Sequence, residues 1–374
     1  MRVWFLARAH LPFSPASVQA RQIGGGEIAL YYVAKGLAGL GHDVVVVNRC
    51  GPEASLYDGV RYYDAAGRWS QWRSEARARL PDVLVVCRRM LDVFAGIPAR
   101  AKVYWTHDYQ GVPMRTLRPT AGRQLAVVWR RTTGPLVHHR VDRICLISRF
   151  QADVFRWLFR TPAEKLVVIP VGIETGLFAG PSRPRPPVRF IHASSPDRGL
   201  AHLLQEIFPA IRQALPEAEL HLYSYQPLDA YKRYSGPGVY FHGWVPKSEL
   251  VRSLAGSTLM LYPSNVEEMG CIAVLESMAA GTPAVTSSLG VLPELAGDGS
   301  RGMTVEGWPG TADFSRRFVD VATNLLLDTI RLERMRAAAR EYAITHHNWD
   351  AIALQWHQML HATLEATNGK RQIR

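Results

Sequence analysis

Cysteine is scarce in this chain, and the four present, Cys50, Cys87, Cys145 and Cys271, are scattered without metal-ligand spacing. Three of them lie in or beside apolar runs. That excludes a disulfide framework and points to buried thiols in a reducing compartment, the cytoplasm. No apolar stretch approaches the roughly 18–20 residues that a membrane span needs. The five apolar residues between Arg2 and Arg8 are too few for a secretory leader and fit a short buried strand better. There is no Gly-Lys-Ser/Thr, so an ATP-hydrolysing phosphate loop lacks support. No Gly-x-Ser-x-Gly elbow occurs, which removes serine-hydrolase chemistry. No Asp-x-Asp stands at a strand end and no His or Cys stands at ligand spacing, so no metal site is expected.

Acidic residues are short in one half only. Residues 1–180 hold 25 Lys and Arg against 13 Asp and Glu, whereas residues 181–374 hold 19 of each. The whole net charge of +12 therefore belongs to the first half, and it is densest at 115–143. A basic domain beside a neutral one suits an anionic partner: a membrane surface, an acidic or phosphorylated acceptor, or nucleic acid. A solvated Arg-rich surface is the plain alternative, and the pair His138-His139 reads as part of it. The stretch has few interleaved aromatics and no known nucleic-acid module, so nucleic acid is not the expected partner.

What is present is an ordinary globular composition, 47% hydrophobic and 20% charged, in 374 residues. That length is too great for one ordinary core and predicts two domains. Strands are expected at 2–7, 42–49, 82–87, 102–107, 143–148 and 165–172, with a loop over 8–23 and a helix over 27–41. Continuous apolar strands separated by helix-length segments indicate a parallel, doubly wound sheet. The segment 173–188, with four prolines among its last eight residues, reads as a linker. The pattern then restarts, with strands at 188–195, 219–224, 238–244, 257–264 and 284–287 and helices at 199–214 and 247–255. The ending, 313–366, reads as helical. The expected domains are 1–172 and 173–345, with 346–374 a final helix crossing back to the first.

Three places carry candidate chemistry. The most informative is VEEMGCIAVLESMAAGTP (266–283). Glu268 stands in a strand-to-helix loop and Glu276 in the following helix, with seven residues between them. In an open α/β sheet such a loop lies where ligands bind, and the helix start suits a phosphate. The turn Gly24-Gly25-Gly26-Glu27 is not Gly-x-Gly-x-x-Gly, but it allows close backbone approach to a pyrophosphate or a sugar. His107 ends a strand, where it can donate a hydrogen bond or act as an acid or base near neutral pH. Arg198, in SSPDRGL, enters a helix after the first strand of the second domain and suits a phosphate.

Glu268-x7-Glu276 with its ESMAAGTPAVTS continuation, the GGGE turn, GLGHDVVVV (39–47) and His107 together resemble the family-4 retaining glycosyltransferases. The resemblance covers essentially residues 1–365. It implies the GT-B fold: two doubly wound Rossmann-like domains facing a central cleft. It also implies transfer of a sugar from a nucleotide-diphosphate donor, without metal or other cofactor, to a glycan, lipid-linked or small-molecule acceptor. By the same carry-over Glu276 would hold the ribose and Glu268 the donor sugar. Gly270, Cys271 and Ile272 would offer amides at the helix start, and Arg198 would stabilise the leaving diphosphate. His107 would hold the sugar, the Gly24–Gly26 turn would meet the donor, and Val245 would border the base. The first domain would bind acceptor, its basic surface suiting the anionic face of a membrane. The chain departs from the family at Ala193 and Ser194, where relatives carry a second phosphate-binding cation. Two rival readings are a non-hydrolysing nucleotide-sugar epimerase and a non-catalytic basic nucleic-acid-binding protein.

Overall fold

A computed structural model describes residues 1–8, 10, 12–20, 24–51, 55–65, 69–108, 121–180 and 188–372. The proline-rich part of the expected linker, 181–187, and residues 115–120 of the basic stretch lie outside them. The chain divides into two compact units, Met1–Gly172 with Trp349–Arg374, and Ile173–Asn348.

Among the described residues the first unit has an eight-stranded sheet. Its strands are β1 (Arg2–Leu6), β2 (Asp43–Asn48), β3 (Leu56–Tyr57), β4 (Val60–Asp64), β5 (Val83–Cys87), β6 (Ala101–Trp105), β7 (Arg143–Leu146) and β8 (Leu166–Val168). The order is β3-β4-β2-β1-β5-β6-β7-β8, parallel except for the β3–β4 hairpin. Val- and Ile-rich strands such as VLVVC are buried at every position because helices cover both faces. The second unit, among its described residues, has six parallel strands: β9 (Arg189–Ala193), β10 (Glu219–Tyr223), β11 (Val239–Gly243), β12 (Leu259–Tyr262), β13 (Ala284–Ser287) and β14 (Met303–Val305). They run β11-β10-β9-β12-β13-β14.

The order reverses between β1 and β5 in the first sheet and between β9 and β12 in the second. Chains leaving neighbouring strands at such a point diverge to opposite faces, which opens a crevice at the strands' carboxyl ends. Each sheet therefore has one favoured place for a ligand, and the topology alone fixes it.

Several expectations need correction. The loop over 8–23 contains a short helix, Pro15–Ala20. The ending is helical as expected, in three helices, Ala312–Leu327, Thr329–His346 and Trp349–Gln372. The expected 199–214 helix forms, but with a wide π turn at Leu203–Ile207 before Pro209. Proline cannot donate to the ladder, and a π turn absorbs the missing bond. His138 is not surface. It is 5% exposed, at 2.9 Å from Thr161 Oγ1, while its neighbour His139 is exposed. Its helix, Ala121–His138, turns that face inward so that Val137 joins the core.

Burial pushes His138 down to about 4, helped by the Lys165 charge. It pushes His192, in β9, down to about 4 as well, against the pull of the Leu261 carbonyl. Both rings stay neutral in the fold, whereas an unfolded chain protonates them below about 6.5. The stability they provide is present above that pH and is lost as pH falls toward 4. The loss is about 1.4 kcal/mol per histidine per pH unit. The thermal midpoint should therefore drop steeply from pH 6.5 to 4.5; a flat midpoint across that window contradicts the assignment.

Candidate functional site

In the second unit the site is built at the reversal between β9 and β12. The segment after β9 delivers Arg198, and the segment after β12 delivers Glu268. Arg198 Nε donates to Glu268 Oε1 at 2.8 Å, and Arg198 Nη1 donates to Asp197 Oδ2 at 2.6 Å. Tyr262, the last residue of β12, donates from its hydroxyl to the same Glu268 oxygen at 2.7 Å. Ser194, after β9, lies 3.3 Å from that hydroxyl. Burial raises the Glu268 carboxyl, opposed by Arg198 and Tyr262. Burial also works against the Arg198 charge, but Glu268 and Asp197 outweigh it and hold the guanidinium above its ordinary value.

The Glu268 loop is clamped from behind. Val291 N–H donates to the Glu268 carbonyl at 2.8 Å, and Gly290, at φ +64°, lies against the Glu268 backbone. A β-carbon on Gly290 would stand 2.2 Å from that carbonyl oxygen.

Two residues past Glu268 come Gly270 and Cys271, and then the Ile272–Ala279 helix, with Cys271 at its N-cap. Cys271 is buried, its thiol pushed up to about 12 by burial and by Glu268, so it is a packing residue and no nucleophile. The helix start directs amides and partial positive charge at the crevice. Glu276, on the same helix, is ion-paired with Lys247. Lys247 opens the Lys247–Ala255 helix directly after the Trp244-Val245-Pro246 turn, which places half-buried Val245 beside it in sequence.

Lys247 was missed by sequence reasoning, and a signal was there. A cation in the first turn of a helix opposes the helix dipole and implies an anionic partner. Lys247 is carried by the helix after β11, not near Ala193 and Ser194, and its partner is Glu276. Arg198 with Glu268, and Lys247 with Glu276, are two separate ion pairs.

In the first unit the reversal between β1 and β5 holds a different cluster. Gly24 is the N-cap of the Gly25–Gly39 helix, and Glu27, in its first turn, is 2% exposed. The Glu27 carboxylate lies 3.2 Å from His10 Nδ1 and 3.6 Å from Arg88 Nη1. Arg88 follows β5 and also donates to Asp108 at 3.0 Å. His107, after β6, stands against His10 and Trp105, with ring centroids 6.3 and 4.5 Å away. A β-carbon on Gly26 would touch both histidines, at 3.5 Å from His107 and 3.6 Å from His10. Burial, with His10 next, pushes His107 down to about 3. A ring shifted this far is neutral near neutral pH, and neither of its nitrogens has a hydrogen-bond partner among the described residues. His10 and Arg88 were not anticipated, because their partners are distant in sequence.

Histidines do meet at ligand distance, and the His357-x3-His361 spacing, overlooked in the sequence, supplies two of them. His42, His357 and His361 bring one ligand nitrogen each within 4.8 Å of one another. Among the described residues no helix is long and apolar enough to cross a membrane.

Two parallel α/β units, each with a ligand crevice at its strand reversal, are the GT-B architecture. The chain belongs to the family-4 glycosyltransferases: residues 23–177 match the family model "Glycosyltransferase Family 4" and residues 188–326 match "Glycosyl transferases group 1". It is 28% identical over 235 residues to the MMP alpha-(1->4)-mannosyltransferase of Mycolicibacterium hassiacum, covering 59% of this chain and 54% of that protein. It is 27% identical over 241 residues to the GDP-mannose-dependent alpha-(1-6)-phosphatidylinositol monomannoside mannosyltransferase of Mycobacterium tuberculosis, covering 57% and 60%. The chain thus spans a little over half the length of these curated relatives. Among solved structures it superposes on sucrose-phosphate synthase from Thermosynechococcus elongatus with a TM-score of 0.74. That match is 17% identical and covers 98% of this chain and 100% of the other. Anabaena HepE in complex with UDP-glucose gives a TM-score of 0.67 at 18% identity, covering 97% and 100%.

Proposed function

We propose that this chain moves a hexosyl group from a nucleotide-diphosphate sugar to a hydroxyl of a glycan, lipid-linked or small-molecule acceptor. In this reading configuration is retained and no metal ion takes part in the transfer. The observation that carries it is the Arg198–Glu268–Tyr262 cluster at the β9/β12 reversal, followed in the chain by an anion-friendly helix start. The names of the relatives give supporting context: one is GDP-mannose-dependent, and one related structure holds UDP-glucose.

The bond from the anomeric carbon to the diphosphate oxygen breaks as the acceptor oxygen bonds that carbon on the same face. The acceptor's proton passes to the departing phosphate. Negative charge grows on that phosphate, and Arg198 with the helix start is placed to stabilise it. Glu268 holds donor-sugar hydroxyls and Glu276 the ribose hydroxyls, each exchanging part of its present ion pairing for the ligand. Gly270, Cys271 and Ile272 supply the helix-start amides, and Val245 borders the base. The Gly24–Gly26 turn serves the donor, and neutral His107 donates to a sugar hydroxyl. The basic first unit suits an anionic acceptor or membrane face.

Thermal-shift screening against UDP-, GDP- and ADP-sugars should reveal one stabilising base, and incubation with that donor should release nucleoside diphosphate. Glu276→Ala should weaken donor binding about 10–150-fold, the worth of a charged hydrogen bond, with little change in turnover at saturation. Release of an altered nucleotide sugar in place of the diphosphate would instead identify an epimerase.

A further inference from the structure

Three histidines outside the transfer machinery meet at the opposite edge of the first sheet. His42 immediately precedes β2, at the strands' amino ends, whereas Gly24, Arg88 and His107 follow carboxyl ends. His357 and His361 lie on the last helix, Trp349–Gln372, four residues apart and so on one face. The ring centroids are 5.0 Å apart for His42 and His357, 6.0 Å for His42 and His361, and 4.4 Å for His357 and His361.

Packing fixes this meeting. The last helix stacks Trp349 on Tyr32, with centroids 5.0 Å apart, and lays Ala353 against Gly36. A β-carbon on Gly36 would stand 2.4 Å from that of Ala353, so the backbones run close. Trp356 is buried against Trp105 and Phe5. One further step along the helix presents His357 and His361 to His42.

We propose that His42, His357 and His361 bind one divalent transition-metal ion, Zn2+ fitting best, which fastens the last helix to the first sheet. Neutral imidazoles suit zinc, and two histidines four apart on a helix are a frequent bidentate arrangement. Zinc–nitrogen bonds of about 2.0–2.1 Å in tetrahedral geometry put ligand nitrogens about 3.3 Å apart. His42 Nε2 and His357 Nδ1 stand 2.9 Å apart, the distance of a shared proton. A metal replacing that proton needs a few tenths of an ångström of opening in this pair, while His361, within 4.8 Å of both, closes in by turning its exposed side chain. His42 is buried and His361 exposed, so the site has one anchored ligand and one at its solvent mouth, where water completes the coordination. This ion plays no part in sugar transfer, and the inference is independent of that reading.

The test uses the full, untagged chain, stripped with a chelator. Calorimetric titration with Zn2+ should show one ion per chain, and the thermal midpoint should rise with added Zn2+. His361→Ala, at an exposed position, should bind more than about 100-fold more weakly, beyond the cost of losing an outer partner. It should also lose the Zn2+-dependent rise. Co2+ in the unmodified chain should give the intense visible bands of a four-coordinate ion. Equal Zn2+ affinity in His361→Ala, no stoichiometric binding, or the weak spectrum of six-coordinate Co2+ would each overturn the site.

Discussion

Arg198→Ala should lower turnover at saturating donor about 10²–10³-fold, the cost of removing one group aimed at developing charge. Donor affinity should change far less than turnover, because leaving-group charge is greatest in the transition state. Arg198→Lys should recover only part of the loss, since a point charge cannot both hold Glu268 and reach a phosphate oxygen. The deletion also leaves Glu268, whose side chain is 13% exposed, without its cation. Some stability should therefore be lost as well. Pairing Arg198→Ala with Glu268→Gln separates the two effects. The double variant should regain thermal stability without regaining turnover. If Arg198→Ala turns over like the unmodified enzyme, with its fold verified by melting, the leaving-group assignment fails.

Gly290→Ala is the second large effect, and it reaches the site without removing any functional group. Gly290 adopts φ +64°, a region costing a residue with a β-carbon roughly 1–2 kcal/mol. The added carbon would also meet Glu268 O at 2.2 Å and Glu268 N at 2.4 Å, which are backbone atoms that cannot swing aside. The loop must then move, and Glu268 moves with it. The expected result is a thermal midpoint several degrees lower, together with loss of donor binding. Gly39→Ala is the matching control. It ends a helix, at an ordinary φ, with nothing within 4 Å of the place a β-carbon would take, so it should be neutral or stabilise by about 0.5–1 kcal/mol. Equal melting of both variants would show that the contact behind Glu268 carries no strain.

The sheets were legible because their strands are buried on both faces and so read as unbroken apolar runs; VLVVC and AVTS needed no other clue. Glu268 and Arg198 were legible because strand and turn signals place each after a strand's carboxyl end, and Glu276 because helix signals place it in the helix that follows. What stayed hidden depends on partners far along the chain. Nothing around His10 announces Glu27 or Arg88, and His42 is 315 residues from His357. The β3–β4 hairpin is a different case. Asp58-Gly59, with φ +48° and +76°, is a strong two-residue turn signal, but β3 has only two residues and shows no alternation. His138 misled because basic neighbours colour a whole segment, while burial is decided residue by residue around a helix.

Because the polypeptide leaves the first unit at Gly172 and re-enters it at Trp349, the second unit is an insertion within the first. On the ribosome, the earlier-made sheet emerges long before Trp356, the tryptophan that fills its surface beside Trp105 and Phe5. The inserted unit, residues 173–348, is made in full before Trp356 follows. Completion of the first unit thus waits for the whole of the second, and a stop codon ahead of Trp356 would spoil the beginning of the molecule rather than its end.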